Sequence, residues 1–253
     1  MKKAFKWVGL GILLLIVVVV LLGFRGSGKF SGLTNMEEKF IISNPLDLSQ
    51  ISSISKFRSC VGHDYSGYNT GGEREKLRTM KHYITAINTL ENSTGKLAAF
   101  SPFDGKIRSI EGDAGPENWQ RGWQVWLEPD AADGWFFIFF HIDLLEGFKK
   151  GSEIKAGELI GYGNVKDAAN FDMIVKASNG LRGPSTIDSP FLHMTSDVLK
   201  EYSDVGVTLE NIILSKEYRD ADDCPIKLGT ESKNDTIFES RGDEIVEDWV
   251  VLD

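Results

Sequence analysis

Six apolar residues stand in an unbroken row from Trp135 to Phe140, set off by Asp133-Gly134, and they limit the fold more than any other stretch. A run this short and this aromatic predicts a strand buried on both faces, and hence the middle of a sheet. Its neighbours read the same way. Trp123 to Leu127 alternates, which predicts a strand carrying Trp123, Val125 and Leu127 on one face. Leu97 to Pro102, then Asp104-Gly105, then Lys106 to Ile110 reads as strand, tight turn, strand. Glu153 to Gly163 is a short pair broken by glycine, and Phe171 to Val175 sets Phe171, Met173 and Val175 opposite Asp172 and Ile174. The spacing of Leu77, Met80, Ile84 and Ile87 predicts a helix over 74–89, and a second is expected over 196–202. The expected fold is mainly β, an antiparallel sandwich or barrel-like core with small helical insertions, over residues 57–198.

The first thirty residues differ in kind. Lys2, Lys3 and Lys6 precede an apolar run from Trp7 to Phe24, and Arg25 and Lys29 follow it. Eighteen residues of helix span about 27 Å, enough to cross a bilayer core. The stronger basic cluster is N-terminal, so residues 1–6 are expected in the cytoplasm, 7–24 in the membrane and the body outside. Neither an Ala-x-Ala cleavage site nor a lipobox cysteine follows, which favours an uncleaved anchor. Residues 25–56 read as a stalk, and 199–253 as an acidic extension whose last stretch, from 231, is expected to be mobile.

The chain has 28 basic and 37 acidic residues. Removing the five basic residues of positions 1–30 leaves 23 basic against 37 acidic, a net charge of −14 for the remainder. Such a body repels nucleic acid. Cys60 and Cys224 suit a disulfide in an oxidising compartment, or stand as free thiols; spacing does not choose between them.

Five short elements occur in a telling order. They are Gly62-His63-Asp64-Tyr65-Ser66, Ser101 to Ile107 (Ser-Pro-Phe-Asp-Gly-Lys-Ile), Phe139-Phe140-His141-Ile142-Asp143, the glycine-rich Phe148 to Gly163, and Asn170 to Ile174. In order and spacing, residues 58–177 resemble the lysostaphin/LytM-type zinc endopeptidases, which cleave peptide crosslinks in bacterial cell walls. The resemblance implies a duplicated hybrid-motif β-fold, with a metal held at the positions of Cys60, Asp64 and Asp172. His141 and Asn170 stand at the family's two assisting-histidine positions. Where the family has histidine ligands this chain has Cys60 and Asp172, so zinc would see one thiolate and two carboxylates. Three anionic ligands weaken the metal's pull on its bound water. The resemblance therefore implies a degenerate, non-catalytic domain with no cofactor, binding cell-wall peptide or glycan or regulating an envelope enzyme.

Other readings stand beside it. A rebuilt metal site could use His63, Asp64, His82, His141 and Asp172, with zinc as its cofactor and cell-wall peptide cleavage as its activity. His141 could instead accept a phosphoryl group, a reading opposed by the anchor. His141 closes an apolar strand, where a polar side chain needs a partner or a role. His63 and Asp64 could merely shape a turn, and His82 could be a core histidine. Trp126 is the aromatic candidate for stacking on a bound peptide or sugar.

Overall fold

The computed structural model describes residues 35–87, 90, 97–112, 122–165, 171–178, 183–230, 236–239 and 247–253. Both the apolar run 7–24 and Asn170 lie outside them, and no described helix is long and apolar enough to cross a membrane. The described strands are β1 (Ile51–Ser55), β2 (His82–Ala86), β3 (Leu97–Phe100), β4 (Gly105–Gly112), β5 (Trp123–Pro129) and β6 (Trp135–Leu144). They continue with β7 (Glu153–Ile154), β8 (Leu159–Gly163), β9 (Phe171–Ala177), β10 (Thr186–Asp188) and β11 (Trp249–Val251). Three short helices follow β10: α1 (Ser196–Ser203), α2 (Leu209–Ile212) and α3 (Lys216–Ala221). The mainly β architecture matches the expectation.

The strands form one antiparallel sheet in the order β11-β1-β2-β9-β6-β5-β4-β7, with β10 on β9 and β8 joining β3 to β6. As expected, the apolar run is central: β6 pairs with β5 on one side and with β9 on the other. Phe137 and Phe139 enter the main core, where Phe139 stacks on Phe171 at 5.3 Å between centroids. Ile138, Phe140 and Ile174 point the other way, into a second cluster with Phe57, Met80 and Ile187. Burying a side chain of this size contributes about 2 kcal/mol, so residues from both faces hold β6 in the centre. β6 also changes partner along its length. Phe140 still faces Asp172 of β9, whereas Ile142 faces Gly163 of β8. His141 is the pivot, with a left-handed φ of 60°. Gly122 sits against this pivot with φ 78°, and a side chain there would meet the His141 carbonyl carbon at 2.8 Å.

Several expectations need correction. The stretch 74–89 is not a helix: β2 occupies its second half and pairs with both β1 and β9. The 3–4 spacing of Leu77, Met80, Ile84 and Ile87 was coincidental. Tertiary pairing overrides it, with Thr79 N–H donating to Ser59 O at 2.9 Å and Arg58 N–H to Thr79 O at 2.9 Å. The strands on either side of Asp104-Gly105 exist but do not form a hairpin, since β3 pairs with β8 and β4 with β5 and β7. In β5, Val125 and Leu127 are buried while Trp123 is 39 % exposed, because the register slips between Trp123 and Val125. The helix over 196–202 is present as α1.

The domain limits also widen. Thr34–Asp253 forms one compact unit. Phe40, Ile41 and Leu46, placed in the stalk by sequence, belong to the main core. The extension beyond 198 packs onto it as well, through Tyr202, Val207 and Ile212. Within the stretch expected to be mobile, Trp249–Val251 adds a strand to β1 and Phe238 pairs with Ile226. Cys60 and Cys224 form a disulfide across 164 residues of chain, tying this extension to the loop after β1.

Candidate functional site

Strand alternation builds the site. On β9, Asp172, Ile174 and Lys176 share the face opposite the main core, and Phe140, Ile138 and Phe136 of β6 stand across from them. Tyr83 of β2 faces Asp172 from the other side. Lys81 precedes β2 and is 2 % exposed, and its ammonium reaches Asp172 Oδ2 at 3.3 Å. The same nitrogen lies 4.2 Å from the Phe140 ring centroid, 4.5 Å from that of Tyr65 and 5.6 Å from that of Tyr83. Aromatic faces are negative, so they favour a cation that burial strips of water.

The segment 57–80 folds over this face and is pinned by ion pairs. Arg58 and Arg78 both bond the buried Glu75, at 2.8 and 3.2 Å, and Arg78 also pairs with Asp220 of α3. Its turn passes through Gly62 at φ 73°, where a side chain would meet the Tyr83 hydroxyl at 2.5 Å. Only glycine permits that approach. His63 then enters the site. Its Nδ1 donates to Asp64 O at 3.0 Å, which leaves Nε2 as the acceptor facing the Lys81 ammonium at 3.4 Å.

Asp172 is fully buried, and its second oxygen, Oδ1, has no hydrogen-bond partner among the described residues. Burial and then the Asp172 charge push the phenols of Tyr65 and Tyr83 above their ordinary value. Lys176, further along β9, sits over the rings of Tyr65 (5.1 Å) and Trp126 (5.3 Å). Burial and then the Lys81 charge lower its pKa, against a smaller opposing pull from Glu111.

The residues named from sequence separate into three groups. His63, Asp172 and Trp126 lie on this face, with Trp126 partly buried against Phe136 at 5.7 Å. His141 is adjacent in chain to Phe140 but serves as the pivot of β6, its carbonyl accepting from Asn164 N–H at 2.7 Å. His82 does not join them. It follows Lys81 in the chain and points to the opposite face, fully buried between Phe57 and Phe191. There its Nδ1 donates to Ser55 O at 2.7 Å and its Nε2 accepts from the Ser189 hydroxyl at 2.8 Å. Burial pushes its pKa down to about 4, with the Ser55 carbonyl opposing. Both His82 and Ser189 are sealed from solvent, so their contact is a packing device and offers no substrate a way in.

The zinc implied by the resemblance does not fit the residues present. Cys60 is committed to its disulfide and offers no thiolate. Asp64 turns its Oδ1 to the backbone N–H groups of Ser66 and Arg78, at 3.0 and 3.1 Å, as a turn-forming aspartate does. Asp172 already faces a cation, the Lys81 ammonium, whose charge repels a second one. Among the described residues, no three His, Cys, Asp or Glu side chains converge to hold a metal ion. Lys81, Lys176, Tyr65 and Tyr83 are not among the site residues expected from sequence. The signal for the first was the alternation of Lys81 and Tyr83 against His82 and Ile84, hidden by the helical spacing around it.

No protein-family model matches this chain, and no curated protein does either. Solved structures do. The chain is similar to Csd3 of Helicobacter pylori at 18% identity and a TM-score of 0.38, over 62% of this chain and 34% of that one. It is similar to a protein described as a glycyl-glycine endopeptidase, LytM, from Ruminococcus gnavus (19%, TM-score 0.34, 44% of each chain). A third neighbour is the catalytic domain of the antimicrobial peptidase lysostaphin from Staphylococcus simulans (18%, TM-score 0.33, 52% of this chain and 90% of that one). The chain thus spans less than half of the first two.

Proposed function

We propose that this chain is a membrane-anchored, extracytoplasmic LytM-like domain that binds cell-wall peptide, or an envelope enzyme acting on it, without cutting. The observation that carries the reading is the lysine ammonium 3.3 Å from Asp172, at the position where the resembled family places a metal ligand. A fixed cation there lets the fold keep its buried carboxylate while removing the source of an activated water. The aromatic and cationic lining of the same face suits recognition of an extended peptide.

The test is metal content and turnover together. Full-length protein in detergent is expected to hold no stoichiometric zinc, to sediment with isolated cell-wall sacculi, and to leave crosslinked peptides intact. Stoichiometric zinc that disappears in Asp172→Ala, together with peptide cleavage, would establish the rival reading of an active metallopeptidase. The feature favouring that rival is His141, held at a left-handed φ that costs a non-glycine residue on the order of 1 kcal/mol.

A further inference from the structure

We infer that Lys176, Trp126 and Tyr65 form a subsite for the carboxylate of a bound peptide. The choice of peptide as the bearer rests on the reading above. Two ammonium groups share the Tyr65 ring, Lys81 at 4.5 Å and Lys176 at 5.1 Å. The site holds one buried carboxylate, and Lys81 has it. Lys176 is half-buried, and among the described residues no carboxylate forms an ion pair with it. A half-buried ammonium with no counter-charge within ion-pair distance among the described residues is available to an anion. The ammonium also lies 5.3 Å from the centroid of the Trp126 ring, whose indole N–H is buried and has no acceptor among the described residues. Trp126 packs edge-on against Phe136, which is partly buried too, so an apolar shelf adjoins the cation.

The chemistry selects the ligand. One ammonium flanked by flat aromatic walls matches a planar monoanion, whereas a phosphate dianion calls for a fork of donors. A chain of net charge −9 also disfavours polyanions, so a carboxylate on a mostly neutral peptide is the fitting occupant. Exposed Glu111 competes weakly for the same ammonium.

The probe is N-acetyl-Ala-Ala with a free carboxylate, set against its C-terminal amide, titrated into the full chain in detergent and read by calorimetry. The acid is expected to bind about tenfold more tightly than the amide, the range of one charge-assisted hydrogen bond. Lys176→Gln should erase that preference and Lys176→Arg should keep it, with circular dichroism confirming that both fold. Acid and amide binding alike, neither binding, or a preference that survives in Lys176→Gln would overturn the subsite. Sacculus sedimentation separates this from the parent reading. Sacculi bound without any acid preference remove the subsite alone, and an acid preference without sacculus binding removes only the cell-wall assignment.

Discussion

Lys81, just before β2, and His82, its first residue, are both buried and point to opposite sides. On the His82 side the imidazole is fully answered. Both ring nitrogens have partners at 2.7 and 2.8 Å, and aromatic rings close the rest. On the Lys81 side the pairing is longer, at 3.3 and 3.4 Å, and Asp172 Oδ1 has no partner among the described residues. Burial of a titratable side chain therefore does not mark a site by itself. What separates the two faces is whether the hydrogen-bonding inventory closes. The closed face is built for stability, and the open one keeps polarity that is unmet among the described residues.

The largest effect should come from splitting the open pair. Asp172→Ala strands the Lys81 ammonium in an apolar surround and is expected to cost about 3–5 kcal/mol in chemical denaturation. The double variant Lys81→Met with Asp172→Leu replaces both charges with apolar volume, and should recover most of that loss or exceed wild type. Near-equal stability of Asp172→Ala and wild type would mean that water already serves this pair, and the contrast between the faces would collapse.

The closed face is tested by pH. His82 titrates at about 4 in the fold against an ordinary value of 6.5. The unfolded chain therefore binds the proton more readily, and the contribution of neutral His82 is fully present above about pH 6.5 and lost as pH falls toward 4. At about 1.4 kcal/mol per unit, the loss amounts to about 3 kcal/mol across that window. Denaturant midpoints measured from pH 7 to pH 4 should show this slope in wild type and lack it in His82→Gln. An identical slope in both would place the acid sensitivity elsewhere.

The difference between the faces also explains what could be read from sequence. Trp135 to Phe140 announced its own position because continuous apolarity has one good solution in a sheet. Of the positions picked out by motif order, His63 and Asp172 meet at Lys81, whereas Cys60 is in a disulfide and Asp64 shapes a turn. Residues 74–87 were misread because two periodicities coexist there, and the deciding term is a partner strand ninety residues away rather than local propensity. Lys81 was invisible for the same reason. A lysine ordinarily signals solvent, and only the pairing of Tyr83 with Asp172 turns this one inward. Cys60 carried two compatible meanings, ligand or crosslink, and the choice depended on Cys224, far along the chain in a region with no pattern of its own.

The smallest expected effect sharpens the account of the closed face. The Ser189 hydroxyl donates to His82 Nε2 at 2.8 Å and accepts from Phe191 N–H at 3.3 Å, so one oxygen serves the histidine and caps the turn at Pro190–His193. Ser189→Ala removes both bonds but leaves the rings of Phe57 and Phe191 in place around the imidazole. The expected cost is about 1–2 kcal/mol, that of one cap and one buried hydrogen bond. Because the lost bond was accepted by the neutral ring, its removal should also raise the His82 pKa and narrow the acid-sensitive window, visible in the imidazole proton shifts. The Ser55 carbonyl remains as the sole polar partner and favours the protonated form. A variant whose stability falls while the His82 titration stays in place would show that the hydroxyl acts only as a cap, and that aromatic packing alone holds the histidine neutral.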